Sequence, residues 1–169
     1  SVTLLQGGAI SVQGIETVTG SLAAGDVVTM VSAGTLRVSA VETVIGTSVA
    51  GDVVRMLESG ALAVSRVESV VGTAGASDTL SLVGTGNTVR IEAIESVLGS
   101  TATNDVITLA VAGNVVVSGV ESVLGSTAAD SITMLATGTL SVSAVDTVTG
   151  SAAATDVLRL LTAGAINVS

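Results

Sequence analysis

The chain of 169 residues contains no Phe, Tyr, Trp, Pro, Cys, His or Lys. Without Cys and His, the chain cannot build a cysteine nucleophile, a Ser–His–Asp triad, or a zinc or iron site that uses those ligands. Without aromatic rings, it has no platform on which nucleic acid bases can stack. We therefore predict that the protein is not an enzyme.

Basic charge is also scarce. Five Arg residues stand against 14 acidic residues, which gives a net charge of −9. This balance argues against a nucleic acid partner and leaves divalent cations as possible partners. Although 48% of the residues are hydrophobic, Gly, Ser, Thr or a carboxylate interrupts every apolar stretch before it reaches about 18 residues. We expect no membrane insertion.

An internal repeat organises the chain. Asp recurs at intervals of 25 to 27 residues, at Asp26, Asp52, Asp78, Asp105, Asp130 and Asp156. A typical repeat covers residues 26–51, and the chain holds about six and a half repeats. The irregular repeats gain a residue between Gly86 and Val89 and lose one between Gly125 and Asp130, where loops would tolerate the change.

Each repeat contains three short alternating runs rich in β-branched residues, which are typical of strands. The predicted inward positions of one repeat are the pairs Val28/Met30, Leu36/Val38 and Val41/Val44. One Gly column, which includes Gly34, predicts a turn with positive φ after the first run. A second Gly column, which includes Gly46, closes the repeat.

These features predict an all-β fold, a parallel β-solenoid that forms a single repeat array over residues 1–169. We expect one coil per repeat, with about 26 residues and three strands, and therefore about 6.5 coils. The coils would start near residues 1, 26, 52, 78, 105, 130 and 156. A narrow aliphatic core explains the missing aromatics, and the need for strand N–H donors explains the missing Pro. We also expect the chain to be part of a longer or polymerised one.

Twelve of the 14 acidic residues form two columns. One column is the repeat Asp, for which two roles stay open: it accepts backbone N–H groups in a turn, or it forms a ladder of calcium sites. The other column lies in the third run and should face solvent, with cation bridging or contact with a neighbouring molecule as the alternative. Its members are Glu16, Glu42, Glu68, Glu95, Glu121 and Asp146. If each repeat formed one coil, like charges would stack about 5 Å apart in each column.

The segments 15–21 and 120–126, each followed by an Asp and an alternating strand, resemble repeats of large secreted bacterial surface proteins. That group includes hemolysin-type calcium-binding (RTX-like) proteins and their S-layer and adhesin relatives. Gly125, Asp130 and Ile132 match the spacing of the family's calcium-binding nonapeptide. The resemblance implies an extracellular or cell-surface location, and it implies calcium as a possible ligand of the six repeat Asp residues.

We expect a structural protein that forms a filament, a surface layer or an adhesin stalk by coil stacking, with a calcium-binding RTX-like module as the alternative. Self-association would run end to end. The fifth column after the Asp either turns inward or forms an exposed apolar stripe for lateral packing, through Val31, Leu57, Val83, Leu135 and Leu161. Ice binding is not expected, because Arg55 and Arg159 interrupt the hydroxyl-bearing column of Thr29, Ser81, Thr108 and Thr133.

Overall fold

A computed structural model describes residues 1–75, 77–153 and 155–169 and confirms the parallel β-solenoid. The described residues form twenty strands and no helix, and the strands alternate along the chain between two ten-stranded parallel sheets. Sheet 1 contains β1 (Val2–Thr3), β3 (Thr17–Thr19), β5 (Thr35–Ser39), β7 (Val53–Met56), β9 (Ser69–Val71), β11 (Thr88–Glu92), β13 (Val106–Leu109), β15 (Ser122–Leu124), β17 (Thr139–Ser143) and β19 (Val157–Leu160). Sheet 2 contains β2 (Ala9–Val12), β4 (Val27–Met30), β6 (Thr43–Ile45), β8 (Ala61–Ser65), β10 (Thr79–Leu82), β12 (Ser96–Leu98), β14 (Asn114–Ser118), β16 (Ser131–Met134), β18 (Thr147–Thr149) and β20 (Asn167–Val168).

The predicted coil length is wrong. Each strand pairs with the second strand after it, so that Val27 lies beside Thr43 and Ser69 lies beside Arg90. One coil therefore has two strands and about 18 residues, and the chain makes about nine coils. Residues 26, 52, 78, 105, 130 and 156 begin repeats, but they do not begin successive coils. One repeat of three strands occupies one and a half coils.

The physical reason for this difference lies at the corners. Alternating hydrophobicity specifies which side of a strand faces the core, but it does not specify how far the chain turns between strands. All three connections of a repeat carry the chain from one sheet to the other. The coil is therefore a flattened two-sided layer, and a three-sided one does not form.

We name the parts of a repeat after the repeat that begins at Asp26. The Asp strand (27–30), the middle strand (35–39) and the short strand (43–45) follow one another along the chain. The wide turn (31–34) and the tight corner (40–42) separate these strands, and the Asp loop (46–52) leads to the next Asp strand. Edge 1 of the solenoid is the side where the chain passes from sheet 1 to sheet 2, and edge 2 is the side where it returns.

The core is a stack of aliphatic layers between the two sheets. The six predicted inward side chains of this repeat, Val28, Met30, Leu36, Val38, Val41 and Val44, are all buried. Because a repeat spans one and a half coils, these six side chains provide four core positions per coil.

The two Gly columns have different structural roles. The column that includes Gly34 was predicted to need positive φ, and this is wrong for every member except Gly86 (φ 64°). A Cβ added to Gly34 or Gly60 would meet no atom within 4 Å. In the second column, a Cβ at Gly46 would collide with the carbonyl oxygen of Arg66 in the next coil on the same edge.

The residue that provides this carbonyl group belongs to the tight corner and has a left-handed backbone. Its φ is 50° in Ala40, 55° in Arg66 and 52° in Ala93. Left-handed φ is unfavourable for residues with a Cβ, and Gly occupies the same position in two other repeats, as Gly14 and Gly119. The corner thus bends the backbone over the Gly of the Asp loop below it.

These contacts predict very different losses of stability for two Gly→Ala substitutions in neighbouring coils at edge 1. In Gly72→Ala the new Cβ would collide with the Ala93 carbonyl oxygen and lie 2.7 Å from Asp78 Oδ2, so we expect a loss of about 3 kcal/mol or more. In Gly60→Ala the Cβ enters open space, and we expect a change within about 1 kcal/mol. Chemical denaturation of both variants measures the difference, and equal losses would contradict this role of the second column.

Candidate functional site

The six repeat Asp residues do not form a single ladder. Because a repeat spans one and a half coils, successive Asp residues alternate between the edges: Asp26, Asp78 and Asp130 lie at edge 1, and Asp52, Asp105 and Asp156 lie at edge 2. Neighbours on one edge are three coils apart, which is roughly 14 Å. The predicted stacking of like charges about 5 Å apart is therefore wrong, and the winding itself separates the carboxylates.

Each Asp carboxylate is bound by the loop that precedes it. Asp26 is fully buried, and its Oδ2 accepts hydrogen bonds from the Ser21 N–H and, at 2.9 Å, from the Ser21 hydroxyl. Asp52 makes the same two bonds with Thr47, at 2.6 and 2.8 Å. The equivalent backbone N–H donors in the other repeats are Thr73, Ser100, Ser126 and Ser151. The Asp thus closes its own loop.

The second carboxylate oxygen reaches the coil below. Asp26 Oδ1 accepts the N–H of Gly8, in the wide turn 18 residues earlier, at 3.1 Å. The same bond joins Asp78 to Gly60 at 3.0 Å. In the repeat with the extra residue, Asn87 takes the place of Gly and donates both its N–H and its Nδ2 to Asp105. Among the described residues, Asp52 Oδ1 is the buried side-chain oxygen without a partner.

The second acidic column binds the first from the coil above. Glu42, in the tight corner, accepts the N–H of Asp26 at 2.7 Å and that of Gly25 at 3.0 Å. The same bond to the Asp N–H recurs in four further repeats, with Glu68, Glu95, Glu121 and Asp146 as the acceptors. The expectation that this column only faces solvent is therefore wrong, although Asp146 remains exposed.

We call this three-coil arrangement the edge clamp. It consists of the wide turn of one coil, the Asp loop of the next and the tight corner of the third, all at the same edge. In the complete clamp of Gly8, Asp26 and Glu42, two carboxylates and their backbone donors together span three successive coils. Hydrogen bonds to charged acceptors are stronger than neutral ones, so the clamp reinforces the backbone ladder at both edges.

Hydrogen bonds lower the pKa of two of the repeat Asp carboxyls. Hydrogen bonds from Ser21, its N–H foremost, and from the N–H of Gly8 lower the pKa of Asp26 below the ordinary value of 3.8, against the opposing effect of burial. For Asp105, burial is the largest influence and raises the pKa. Hydrogen bonds from Asn87 and Ser100 together outweigh it and hold the pKa below the ordinary value.

The sequence reasoning missed two parts of the clamp. The loop hydroxyl residue directly after the second Gly, as in Ser21 and Thr47, was visible as a Ser or Thr in every repeat. The pairing of Glu42 with Asp26 was not visible, because 16 residues correspond to one coil only when the coil has two strands. With a 26-residue coil, these two residues would belong to different faces of the layer.

The fifth-column side chains are exposed, but they do not form one stripe. The exposed fraction is 57% for Val31, 49% for Leu57 and 70% for Leu135. Val31, Val83 and Leu135 lie in wide turns at edge 2, whereas Leu57 and Leu161 lie at edge 1. The exposed residues are therefore three coils apart at edge 2, and Leu57 and Leu161 are about six coils apart at edge 1.

Comparison with protein-family models, with curated proteins and with solved structures finds no match to this chain. Within the described residues, no helix is long and apolar enough to cross a membrane.

Removing the upper carboxylate of a clamp should weaken the fold. In Glu42→Ala the N–H groups of Gly25 and Asp26 lose their acceptor, and we expect the free energy of unfolding to fall by about 1–3 kcal/mol. Glu58 is an exposed carboxylate outside both columns, so Glu58→Ala should change it by no more than about 0.5 kcal/mol. Equilibrium denaturation measures the free energy of unfolding of the two variants. An equal decrease in both would mean that the second acidic column contributes no more stability than an isolated surface carboxylate.

Acid should destabilise the protein in a defined pH range. A carboxyl whose pKa is lowered by folding adds stability above its unfolded pKa, and that stability is lost as the pH falls through the folded pKa. The melting temperature should therefore be constant at neutral pH and fall below about pH 4. In Asp105→Asn, one titrating carboxyl is gone and the acid-dependent fall should be smaller. Melting followed by circular dichroism tests this, and a melting temperature that does not change in acid would contradict it.

Proposed function

We propose that this chain is a structural, extracellular β-solenoid rod that serves a filament, a surface layer or an adhesin stalk. The observation that carries the proposal is the edge clamp, which joins three successive coils at both edges on top of continuous parallel ladders. Force applied along the rod would load backbone hydrogen bonds and charge-assisted bonds in every coil. The bacterial surface location in this proposal comes from the resemblance of segments 15–21 and 120–126 to repeats of large secreted bacterial surface proteins.

The burial and hydrogen bonding of the carboxylates support a structural role over a catalytic one. General acid–base chemistry needs a carboxyl that can reach a substrate, but Asp26, Asp78 and Asp105 are fully buried and bonded to backbone N–H groups. A groove of about 810 Å³ is lined by Arg66, Glu68 and Arg90 among others. Its carboxylate, Glu68, already accepts the N–H groups of two residues of the neighbouring Asp loop.

The alternative proposal is a calcium-binding module, and the oxygen atoms around the repeat Asp residues fit a calcium site less well. Calcium takes six to eight oxygen ligands, whereas the described residues contain no group of three or more Asp or Glu side chains that could hold a metal ion. The carboxylate oxygens of Asp26 face N–H donors, whose partial positive charge would repel a cation. The alternative rests on the resemblance, and calcium binding by the six Asp residues stays a prediction.

Separate experiments on the purified chain test the two proposals. For the rod, electron microscopy and fibre diffraction at high concentration should show elongated particles with a repeat near 4.8 Å along the long axis. Dispersed particles the length of a single chain would contradict coil stacking. For the alternative, the melting temperature is compared in chelator and in millimolar calcium. We expect equal melting temperatures, and a large rise with calcium would favour the calcium-binding module.

A further inference from the structure

The outer faces of the two sheets differ in charge. Sheet 1 contains the strand residues Arg37, Arg55, Arg90, Glu92 and Arg159. The ten strands of sheet 2 contain no charged residue, and their outward side chains are Ser, Thr, Ala, Val, Ile, Leu and Asn. Sheet 2 therefore presents a continuous uncharged face on a chain whose net charge is −9.

Equivalent repeat positions show that folding does not require this asymmetry. The third position of the Asp strand is Arg55, Thr108 or Arg159 in sheet 1 but Thr29, Ser81 or Thr133 in sheet 2.

The third position of the middle strand follows the same rule. It is Arg37, Arg90 or Ser141 in sheet 1. In sheet 2 it is Ser11, Ala63 or Val116. The backbone at these positions accepts Arg, yet Arg occurs on one face only. The composition of the sheet 2 face thus reflects a requirement other than folding.

The charge distribution favours a second copy of this chain as the occupant of that face. Two sheet 1 faces would bring Arg residues together, and the edges carry the carboxylates of the clamps. Two sheet 2 faces would meet without burying a charged strand side chain, and burial of unpaired charge is the main penalty in such contacts. The face also offers apolar surface, since Leu98 is 50% exposed there.

The size of the face is sufficient for pairing. Nine strand-to-strand steps of about 4.8 Å give a length of roughly 43 Å, and two outward residues per strand give a width of roughly 14 Å. Pairing two such faces buries about 1,200 Å² in total, which lies at the lower end of specific protein interfaces.

We propose that two copies of this chain pair side by side through the outer faces of sheet 2. This pairing rests on the proposed structural role, because it supplies the lateral contact that a filament or a surface layer needs in addition to coil stacking. It uses a surface different from the exposed side chains of the wide turns, which are divided between both edges.

A matched pair of variants tests the proposal. Ser81 lies in β10, the fifth of the ten strands of sheet 2, between Ala63 and Leu98, and Ser81→Arg would place a charge in the middle of the paired face. Thr108 occupies the same repeat position in sheet 1, beside Arg90, so Thr108→Arg is the control. Both substitutions should fold, because Arg55 already occupies this position and lies beside Arg37.

Sedimentation equilibrium over a range of concentrations measures the association. We expect the wild type and Thr108→Arg to dimerise reversibly with similar constants, and Ser81→Arg to associate at least tenfold more weakly. Unchanged circular dichroism melts of both variants would establish that they are folded. A wild type that stays monomeric, or equal weakening by both variants, would overturn the proposal.

Small-angle X-ray scattering separates this result from the test of the rod. Pairing doubles the mass of the cross-section and leaves the length unchanged, whereas coil stacking increases the length. If the cross-section does not double, the pairing proposal fails. If the length does not increase at high concentration, the stacking proposal fails. Because the two Arg residues of the hydroxyl-bearing column lie on sheet 1, ice is the other candidate occupant of sheet 2. A monomeric wild type that slows ice growth, with the effect lost only in Ser81→Arg, would overturn pairing in favour of ice.

Discussion

The mismatch between the repeat and the coil is the constraint on which the other features depend. A repeat supplies three strands and a coil uses two, so each repeat is related to the next by half a turn and a rise of one and a half coils. This winding places the Asp loops on alternate edges and separates their charges. It also brings the three kinds of connection together at each edge, in the fixed order wide turn, Asp loop, tight corner.

The edge clamp makes the coils depend on one another. In solenoid proteins each unit contacts only its neighbours, and stability is largely a sum of unit and interface terms. Here the carboxylate of Asp26 binds the coil below, and its N–H is bound by Glu42 from the coil above. Each complete clamp extends the coupling from pairs of coils to groups of three, which favours cooperative unfolding of coils along the rod.

The sequence predicted the fold class and the core well, because both depend on local patterns. Val28 and Met30 alternate with outward residues, and this alternation is sufficient to assign them to the interior. The role of Asp26 as an acceptor of turn N–H groups was one of two open alternatives, and its hydrogen bonds now confirm that role. The Asp loops contain no Lys or Arg. A recurring Asp before a strand therefore has few hydrogen-bond donors other than the N–H and hydroxyl groups of its own turn.

The features that the sequence did not predict all involve contacts between coils. Gly34 and Gly46 look alike in the sequence, yet one has open space around it and the other lies beneath a carbonyl group of the next coil. The bond between Glu42 and Asp26 likewise depends on which residues lie one coil apart. Those neighbours follow from the coil length, which depends on the angle turned at each corner, and hydrophobic patterning contains no information about that angle.

The half-turn relation between repeats also limits how such a gene can change in length. Duplication of a single repeat adds an odd number of strands and moves every downstream residue to the opposite sheet, so that Arg159 would emerge on the uncharged face. Duplication of two repeats adds three whole coils and leaves both faces unchanged. Tandem duplication that preserves the distinction between the faces must therefore proceed by pairs of repeats. The pair of repeats is the smallest unit that can be duplicated without exchanging the two faces.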